Sequence, residues 1–290
     1  MNIRLSALLF LAALLITVAG CGSAPVVSDS EAKAIKLATE ADSEFKAGNY
    51  QRALKLYEAA LNVDYSYENE YGIGVNIINI ARVYREIAKP EDAHRFLEML
   101  LENNTPPFSL PNDVLAEAAF LNGLIYFEGG NQTAAAKWAD TALNNCIKSC
   151  TTAGKIYNLK ARLALDKKQY SEALLLAKKG AELNKAPEQK NELSNSFRIM
   201  AKGYENLNKF NDAVKYYTSA LQIDKALGEG QKVAADLMGL GTTFLKEGNK
   251  QEAQKYFQRA LLSYQGLADE KGIATAEDML KSLNVNDSSP

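Results

Sequence analysis

Histidine, cysteine, proline and net charge are all scarce in this chain of 290 residues. It has one histidine, three cysteines and seven prolines, and its formal net charge at pH 7 is −2. A single histidine argues against most chemistry that depends on imidazole. The near balance of 33 basic and 35 acidic side chains gives no whole-chain attraction toward nucleic acid, so we expect no nucleic-acid partner. Apolar residues are plentiful at 47%, which excludes the disordered class.

The first twenty residues predict a secretory signal peptide. Arg4 is followed by an apolar run from Leu5 to Gly20 that only Ser6 and Thr17 interrupt. At a helical rise of about 1.5 Å per residue the run covers about 24 Å, which is shorter than a hydrocarbon core of about 30 Å. A positive charge, an apolar stretch and then small residues are typical of a segment that is removed on export.

The residues at the end of this run, Val18-Ala19-Gly20-Cys21, resemble the lipobox of bacterial lipoproteins. The resemblance implies that Cys21 is acylated, with palmitate among the acyl chains, and becomes the first residue of the mature protein. Each buried methylene contributes about 0.8 kcal/mol, so two or more chains hold a protein at a membrane. Gly22 is not acidic, which implies the outer membrane of a Gram-negative cell, facing the periplasm. The alternatives are an ordinary signal peptide or an uncleaved anchor.

A landmark alanine recurs about every forty residues. Its copies are 40, 42, 38, 40 and 40 residues apart, and they are Ala53, Ala93, Ala135, Ala173, Ala213 and Ala253. Apolar residues fall at helical intervals on both sides of each copy, which predicts a helix, a short turn and a second helix. Small residues twelve before the landmark, and in most copies seven after it, let the two helices approach closely. Six such hairpins in tandem bury one quasi-linear core.

The repeats resemble the tetratricopeptide repeat, whose small residues and aromatic position they share. Tyr50, Tyr170 and Phe210 match the aromatic position. The resemblance covers about residues 34–265 and implies an all-α superhelix of about six helical hairpins. An amphipathic pattern over residues 271–283 adds a C-terminal capping helix, so we expect the solenoid to cover residues 31–284. The family's common period is 34, so the extra residues either lengthen the helices or form loops between repeats. Residues 1–20 then form the signal peptide, 21–30 the lipidated cysteine with a flexible tether, and 285–290 a disordered tail.

Three local features add to this division. Prolines predict a loop over residues 103–112, because they remove backbone donors and bar a helix. Gly72-Ile73-Gly74 also suggests a loop. The one histidine, His94, is predicted to be a surface residue, since no cysteine lies near it in the sequence.

The family resemblance also implies a partner-binding groove lined by the first helices of the hairpins. The residues that it assigns to this groove are Arg82, Arg85, Phe120, Leu124, Phe127, Asn158, Arg162, Arg198 and Lys202, with Lys155 beside them. Aromatic anchors flanked by cations suit a segment of another protein that carries acidic groups. The alternative is that Phe120 and Phe127 are core residues and that the cations form a solvated face.

No motif for catalysis, a cofactor or a metal is present in the sequence, and we predict that the protein is not an enzyme. Cys146 and Cys150 remain once Cys21 is set aside. They form a disulfide, stay as free thiols or contribute to a metal site, and spacing alone does not choose.

These features together predict a membrane-anchored adaptor or assembly scaffold in the bacterial envelope, whose partner is an unidentified envelope protein or peptide. It is similar in outline to lipoproteins that assist pilus secretin assembly, outer-membrane protein assembly or peptidoglycan hydrolases. The alternative is a sensory component that binds a ligand or a short peptide.

Overall fold

The computed structural model describes residues 28–101, 109–147 and 150–285. The predicted signal peptide, Cys21 and most of the predicted tether lie outside the described residues, as do residues 102–108 and 286–290. Within the described ranges the regular structure is a 3-10 turn at Pro187–Gln189 and thirteen α-helices: α1 Asp29–Lys46, α2 Tyr50–Ser66, α3 Glu70–Glu86, α4 Pro90–Leu101, α5 Asn112–Glu128, α6 Gln132–Asn145, α7 Ala153–Asp166, α8 Tyr170–Leu183, α9 Lys190–Asn206, α10 Phe210–Leu227, α11 Gly230–Glu247, α12 Lys250–Gly266 and α13 Glu270–Val285.

The helices pair as six antiparallel hairpins, so the predicted all-α solenoid is confirmed. We number the hairpins as repeats, with α1–α2 as repeat 1 and α11–α12 as repeat 6, and α13 packs on α12 as the predicted cap. Most helices have 16 to 18 residues. The residues beyond the common period therefore chiefly lengthen the helices.

The turns inside the hairpins use the left-handed backbone conformation. Gly48, Gly130 and Gly248 have φ of 78°, 80° and 91°. Ala88 and Lys168 hold the same place with φ of 56° and 57°, although a Cβ makes that conformation unfavourable. The turn bonds offset this cost, because the amide after the left-handed residue donates to a carbonyl of the preceding helix, at 2.9 Å in repeat 2.

Small residues lie where the two helices of a hairpin meet, as predicted. Ala41, Ala81, Ala161 and Ala201 are fully buried on the first helices. In repeat 6 the position is Gly241, where an added Cβ would come within 2.5 Å of the Phe257 ring. Larger side chains at these positions would force the paired helices apart.

The first helices form the inner row of the superhelix. Successive first helices, from α1 to α11, contact one another across the repeats, and no comparable contact joins successive second helices in the described part of the chain. Elements on the inside of a curve lie closer together than those outside it. The surface of the first helices is therefore concave, which is where the predicted groove residues lie.

Two predicted boundaries shift, and one predicted loop is helical. The tether ends earlier than predicted, because Ser28 caps α1 by accepting a hydrogen bond of 3.1 Å from the amide of Glu31. Gly72 and Gly74 lie inside α3 rather than in a loop, and a Cβ on Gly74 would come within 2.4 Å of Val114. At the other end, α13 continues through Val285.

The predicted loop at residues 103–112 is only partly described. Ser109, Leu110 and Pro111 are not helical, whereas Asn112 is the first residue of α5. No helix of the described residues is both long and apolar enough to cross a bilayer.

Candidate functional site

The nine predicted groove residues all lie on first helices, and the inner row brings them to one face. They fall into four groups along that row, with Arg82 and Arg85 on α3, Phe120, Leu124 and Phe127 on α5, Asn158 and Arg162 on α7, and Arg198 and Lys202 on α9. Their local environments differ sharply. Most of the cations are already paired within the chain.

Arg82 and Lys155 share one carboxylate, that of Glu117 on α5. Arg82 donates to Glu117, and the Lys155 ammonium lies 3.1 Å from its Oε1 atom. Thr152 donates a further bond of 2.7 Å to Oε2. Burial by itself would raise the pKa of Glu117, but these positive partners and the hydroxyl hold it below its usual value. We call this arrangement, which joins α3, α5 and α7, the Glu117 joint.

Arg85 is held by a carboxylate of the next repeat. Its Nε and Nη2 atoms each donate a hydrogen bond of 2.7 Å to Glu128 at the end of α5. The bidentate bond raises the pKa of Arg85 above its usual value. Arg85 therefore holds repeat 2 against repeat 3, and its Nε and Nη2 donors are already bonded to Glu128.

Arg198 lies between two buried aspartates near the other end of the row. Its Nε atom donates to Asp236 of α11 at 2.7 Å, and its NH2 atom donates to Asp224 of α10. Ser194 donates to the second oxygen of Asp224 at 2.6 Å. Both aspartates are fully buried. We call this arrangement, which joins α9, α10 and α11, the Arg198 joint.

The pKa of Asp236 records the imbalance of charge in the Arg198 joint. Burial raises this pKa to about 7, Arg198 opposes the rise, and the neighbouring carboxylate of Asp224 adds to it. One guanidinium does not fully compensate two buried carboxylates.

Phe120 and Asn158 belong to the core rather than to an open groove. Phe120 is 9% exposed and packs with Trp138 and Leu159, so it offers little surface to a partner. Asn158 is buried and donates to the Glu192 carbonyl at 3.0 Å. Of the two interpretations given above for Phe120, the structure favours the core residue, because Trp138 of α6 and Leu159 of α7 pack against it, and Asn158 is engaged by Glu192 of α9.

Arg162 differs from the other buried or half-buried cations of this face. Its guanidinium carbon lies 4.3 Å from the centre of the Phe127 ring, in a cation–π contact. Arg162 forms no ion pair within the described ranges 28–101, 109–147 and 150–285. Leu124 and Phe127 are half-buried beside it, and Lys202 on the next first helix is exposed.

A cleft of about 230 Å³ opens beside the Glu117 joint. Its walls come from α3, α5 and the segment that leads into α7, and they combine apolar and polar side chains. The lining includes Tyr71, Val75, Ile78, Asn79, Asp113 and Thr151. Tyr71 is 56% exposed at the rim. No sequence motif indicated this cleft, because its walls come from three repeats.

His94 is not the free surface residue that the sequence predicts. Its ring stacks on Tyr126 with the ring centres 4.0 Å apart, and its Nδ1 atom contacts the side-chain oxygen of Asn122. Both partners are on α5, the first helix of the next repeat. His94 therefore helps to hold repeat 2 against repeat 3.

Cys146 and Cys150 lie in the connection between α6 and α7. In the structure their sulfurs are joined in a disulfide, and their Cα atoms are 5.2 Å apart. Thr152, which bonds Glu117, follows two residues after Cys150. The described residues contain no cluster of three or more histidine, cysteine or acidic side chains that could hold a metal ion.

Sequence reasoning missed the carboxylates that pair with the groove cations. Glu117 lies 35 residues after Arg82, and Asp236 lies 38 residues after Arg198. These separations are close to one repeat, because the partners occupy neighbouring first helices. A search for opposite charges one repeat apart would have found both joints.

Comparison with known families supports the repeat assignment. Profiles described as tetratricopeptide repeat match residues 192–265, and residues 39–70 together with 78–149. The matched segments together cover more than half of the chain. Among curated proteins no sequence matches this chain significantly.

Solved structures with the same fold share little sequence with this chain. The type IV pilus biogenesis factor PilW is 17% identical with a TM-score of 0.60, and the match covers 83% of this chain and 97% of PilW. A Rap protein complexed with competence and sporulation factor is 16% identical with a TM-score of 0.62, and the match covers 89% of this chain and 72% of that one. The Cut9–Hcn1 hetero-tetramer of the APC/C is 12% identical with a TM-score of 0.67, and the match covers 87% of this chain and 42% of that one. This chain thus spans less than half of that last protein.

Proposed function

This chain belongs to the tetratricopeptide-repeat family, and from that premise we propose that it is a docking scaffold held at a bacterial membrane by acylated Cys21. Proteins with stacked helical repeats of this kind typically bind proteins or peptides rather than catalyse reactions. The proposed partner is a protein or peptide of the cell envelope. The proposed location is the outer membrane, facing the periplasm.

The observation that carries this proposal is the middle of the concave face. Leu124, Phe127 and Arg162 are half-buried there, and together they offer an aromatic ring, an aliphatic side chain and a cation on one surface. Aromatic and arginine side chains are the residue types that contribute most to binding at protein interfaces. Most of the other predicted groove residues on this face are engaged in contacts between repeats.

The membrane part of the proposal rests on the sequence at residues 1–21. We expect the mature amino-terminal peptide to begin at Cys21 and to carry acyl chains, which mass spectrometry of the membrane fraction measures. Cys21→Ser should move the protein out of the membrane fraction. A mature protein that lacks acyl chains but keeps Cys21 would contradict the anchor.

Site-specific photo-crosslinking in intact cells tests the docking part. A photo-reactive residue replaces Lys202, which is exposed on α9 of the concave face, and in a matched control it replaces Lys178, which is exposed on α8. We expect a discrete adduct with an envelope protein from position 202 and none from position 178. Equal labelling from both positions, or none from position 202, would count against a concave docking surface.

A sensory role is the second candidate, and the cleft beside the Glu117 joint favours it. A volume of about 230 Å³ suits a side chain or a small molecule better than a protein surface. A screen for compounds that raise the melting temperature tests this role, since a ligand that binds only the folded state stabilises it. A stabilising compound whose effect is lost in Asn79→Leu would favour this candidate over the scaffold.

A further inference from the structure

We propose that Arg162 is the point at which this protein binds a carboxylate of its partner, and that the docked segment is a peptide stretch containing aspartate or glutamate. The inference rests on the proposed docking function and goes further by naming one residue and the chemistry that it recognises.

The first step is to separate the cations that hold repeats together from those that do not. Arg82 and Lys155 are engaged by Glu117, Arg85 by Glu128, and Arg198 by two aspartates. A partner's carboxylate would have to displace a carboxylate of the chain at each of these sites. Only a cation without such a pair gains a full charge-assisted hydrogen bond on docking.

The second step concerns the carboxylates around Arg162, each of which has another donor. Glu128 accepts two hydrogen bonds from Arg85. Asp166 accepts one from Gln132 at 3.3 Å. Glu192 accepts hydrogen bonds from the side chains of Asn158 and Asn195. These carboxylates attract Arg162 at a distance, but none forms an ion pair with it within the described residues. The guanidinium is left with unused donors.

The third step is the cost of this arrangement to the free protein. Arg162 is half-buried, and burial lowers its pKa below the usual guanidinium value, which the surrounding carboxylates do not fully offset. A guanidinium that has lost water without gaining a partner gains most when a carboxylate arrives. The cation–π contact with Phe127 already restricts the side chain, so less side-chain freedom is lost on binding.

The geometry favours a peptide carboxylate. The guanidinium carbon lies 4.3 Å from the centre of the Phe127 ring, and the guanidinium N–H groups form no hydrogen bond within the described residues, so they remain for a planar, bidentate acceptor. Leu124 and Phe127 supply half-buried apolar surface next to the guanidinium. The matching ligand is therefore an acidic side chain with an apolar residue close to it in the peptide.

The test is peptide binding to the full chain, purified in detergent. An array of short peptides is prepared in two versions, one with its natural acids and one with every Asp and Glu replaced by Asn and Gln. Peptides that bind are then titrated against wild type, Arg162→Gln and the control Lys178→Gln, whose lysine is exposed on α8 outside the concave face. Circular dichroism verifies that each variant is folded.

We expect binding only of the acidic versions. Arg162→Gln should weaken it about tenfold to a hundredfold, because one charge-assisted bond is worth that much in an equilibrium constant. Lys178→Gln should leave it unchanged, since Lys178 lies on α8 and not on the concave face.

Two results would overturn the inference in distinguishable ways. Peptides that bind equally well as acids and as amides, or that bind Arg162→Gln as tightly as wild type, would remove the role of Arg162 and leave the docking scaffold standing. No binding of any peptide to wild type would overturn the docking of peptides, and this inference with it.

Discussion

The Glu117 joint and the Arg198 joint use the same two kinds of charge in opposite proportions. In the first, one carboxylate lies between two cations whose side chains are 38% and 31% exposed. In the second, one guanidinium lies between two carboxylates that water does not reach. The pKa of Glu117 is accordingly lowered, whereas that of Asp236 is raised.

The difference shows which charges of the concave face are structural. Both joints bind helices of adjacent repeats, and in both the charged side chains hydrogen-bond one another. Arg162 belongs to neither joint, and within the described part of the chain it contacts the Phe127 ring without forming an ion pair. Charge at a joint should therefore affect stability, and charge at Arg162 should affect binding.

The largest effect is expected from Arg198→Met. Removing the guanidinium leaves Asp224 and Asp236 buried without their cation, which should lower the free energy of unfolding by about 3–5 kcal/mol. Urea unfolding followed by circular dichroism measures the loss. The double variant Arg198→Met with Asp236→Asn is the control, and it should recover part of the loss because one of the two carboxylates is gone. A loss below that of Glu117→Gln would reverse the ranking of the joints.

Loss of the disulfide should have the next largest effect. Replacing Cys146 and Cys150 by serine should lower the free energy of unfolding by about 2 kcal/mol, on the chain-entropy estimate for a short loop. The measurement is urea unfolding without reductant, and dithiothreitol added to wild type should reproduce the loss. An unchanged midpoint in both experiments would mean that the bond does not constrain the entry into α7.

Glu117→Gln should have a smaller effect, of about 1–2 kcal/mol, because the two cations that lose their carboxylate can still reach water. The lowered pKa of Glu117 also fixes the direction of the pH dependence. Its contribution is present above the unfolded pKa and is lost as pH falls through the folded value. Wild type should therefore lose more stability than Glu117→Gln on acidification. Parallel pH profiles for the two proteins would contradict the assignment.

The smallest expected effect is that of Asp236→Asn, and its pH dependence has the opposite direction. The folded pKa of about 7 lies above the ordinary 3.8, so the native state holds the proton more tightly. The favourable contribution is present below about pH 4 and is lost as pH rises through about 7. At pH 8 the variant should equal wild type or exceed it by about 1 kcal/mol. A variant that is less stable at pH 8 than at pH 5, relative to wild type, would contradict this sign.

The sequence predicts the helical hairpins well but the chemistry of their inner face poorly. The landmark alanines predict six hairpins because close helix packing requires a small residue at a fixed place in every repeat. Position within a repeat assigns Phe120 and Asn158 to the groove, yet Trp138 and Leu159 pack against Phe120, and Asn158 is buried against α9. Burial of a concave face depends on the angle between repeats, which a period does not encode.

The paired cations illustrate the same limit. Arg198 has its partners 26 and 38 residues away, on two other helices, so its local sequence gives no sign that it is engaged. That Arg162 forms no ion pair within the described residues is likewise evident only once the hydrogen-bond donors to the nearby carboxylates are known.

The most direct test of the division between joints and docking surface is the stability of Arg162→Met. The change removes a half-buried cation that has no ion pair with any residue that the structure describes, and it leaves an apolar side chain on Phe127, so the free energy of unfolding should stay within about 0.5 kcal/mol of wild type. Urea unfolding of this variant beside Arg198→Met gives the answer in one experiment. A loss as large as that of Arg198→Met would show that Arg162 is itself a structural joint and would contradict the account.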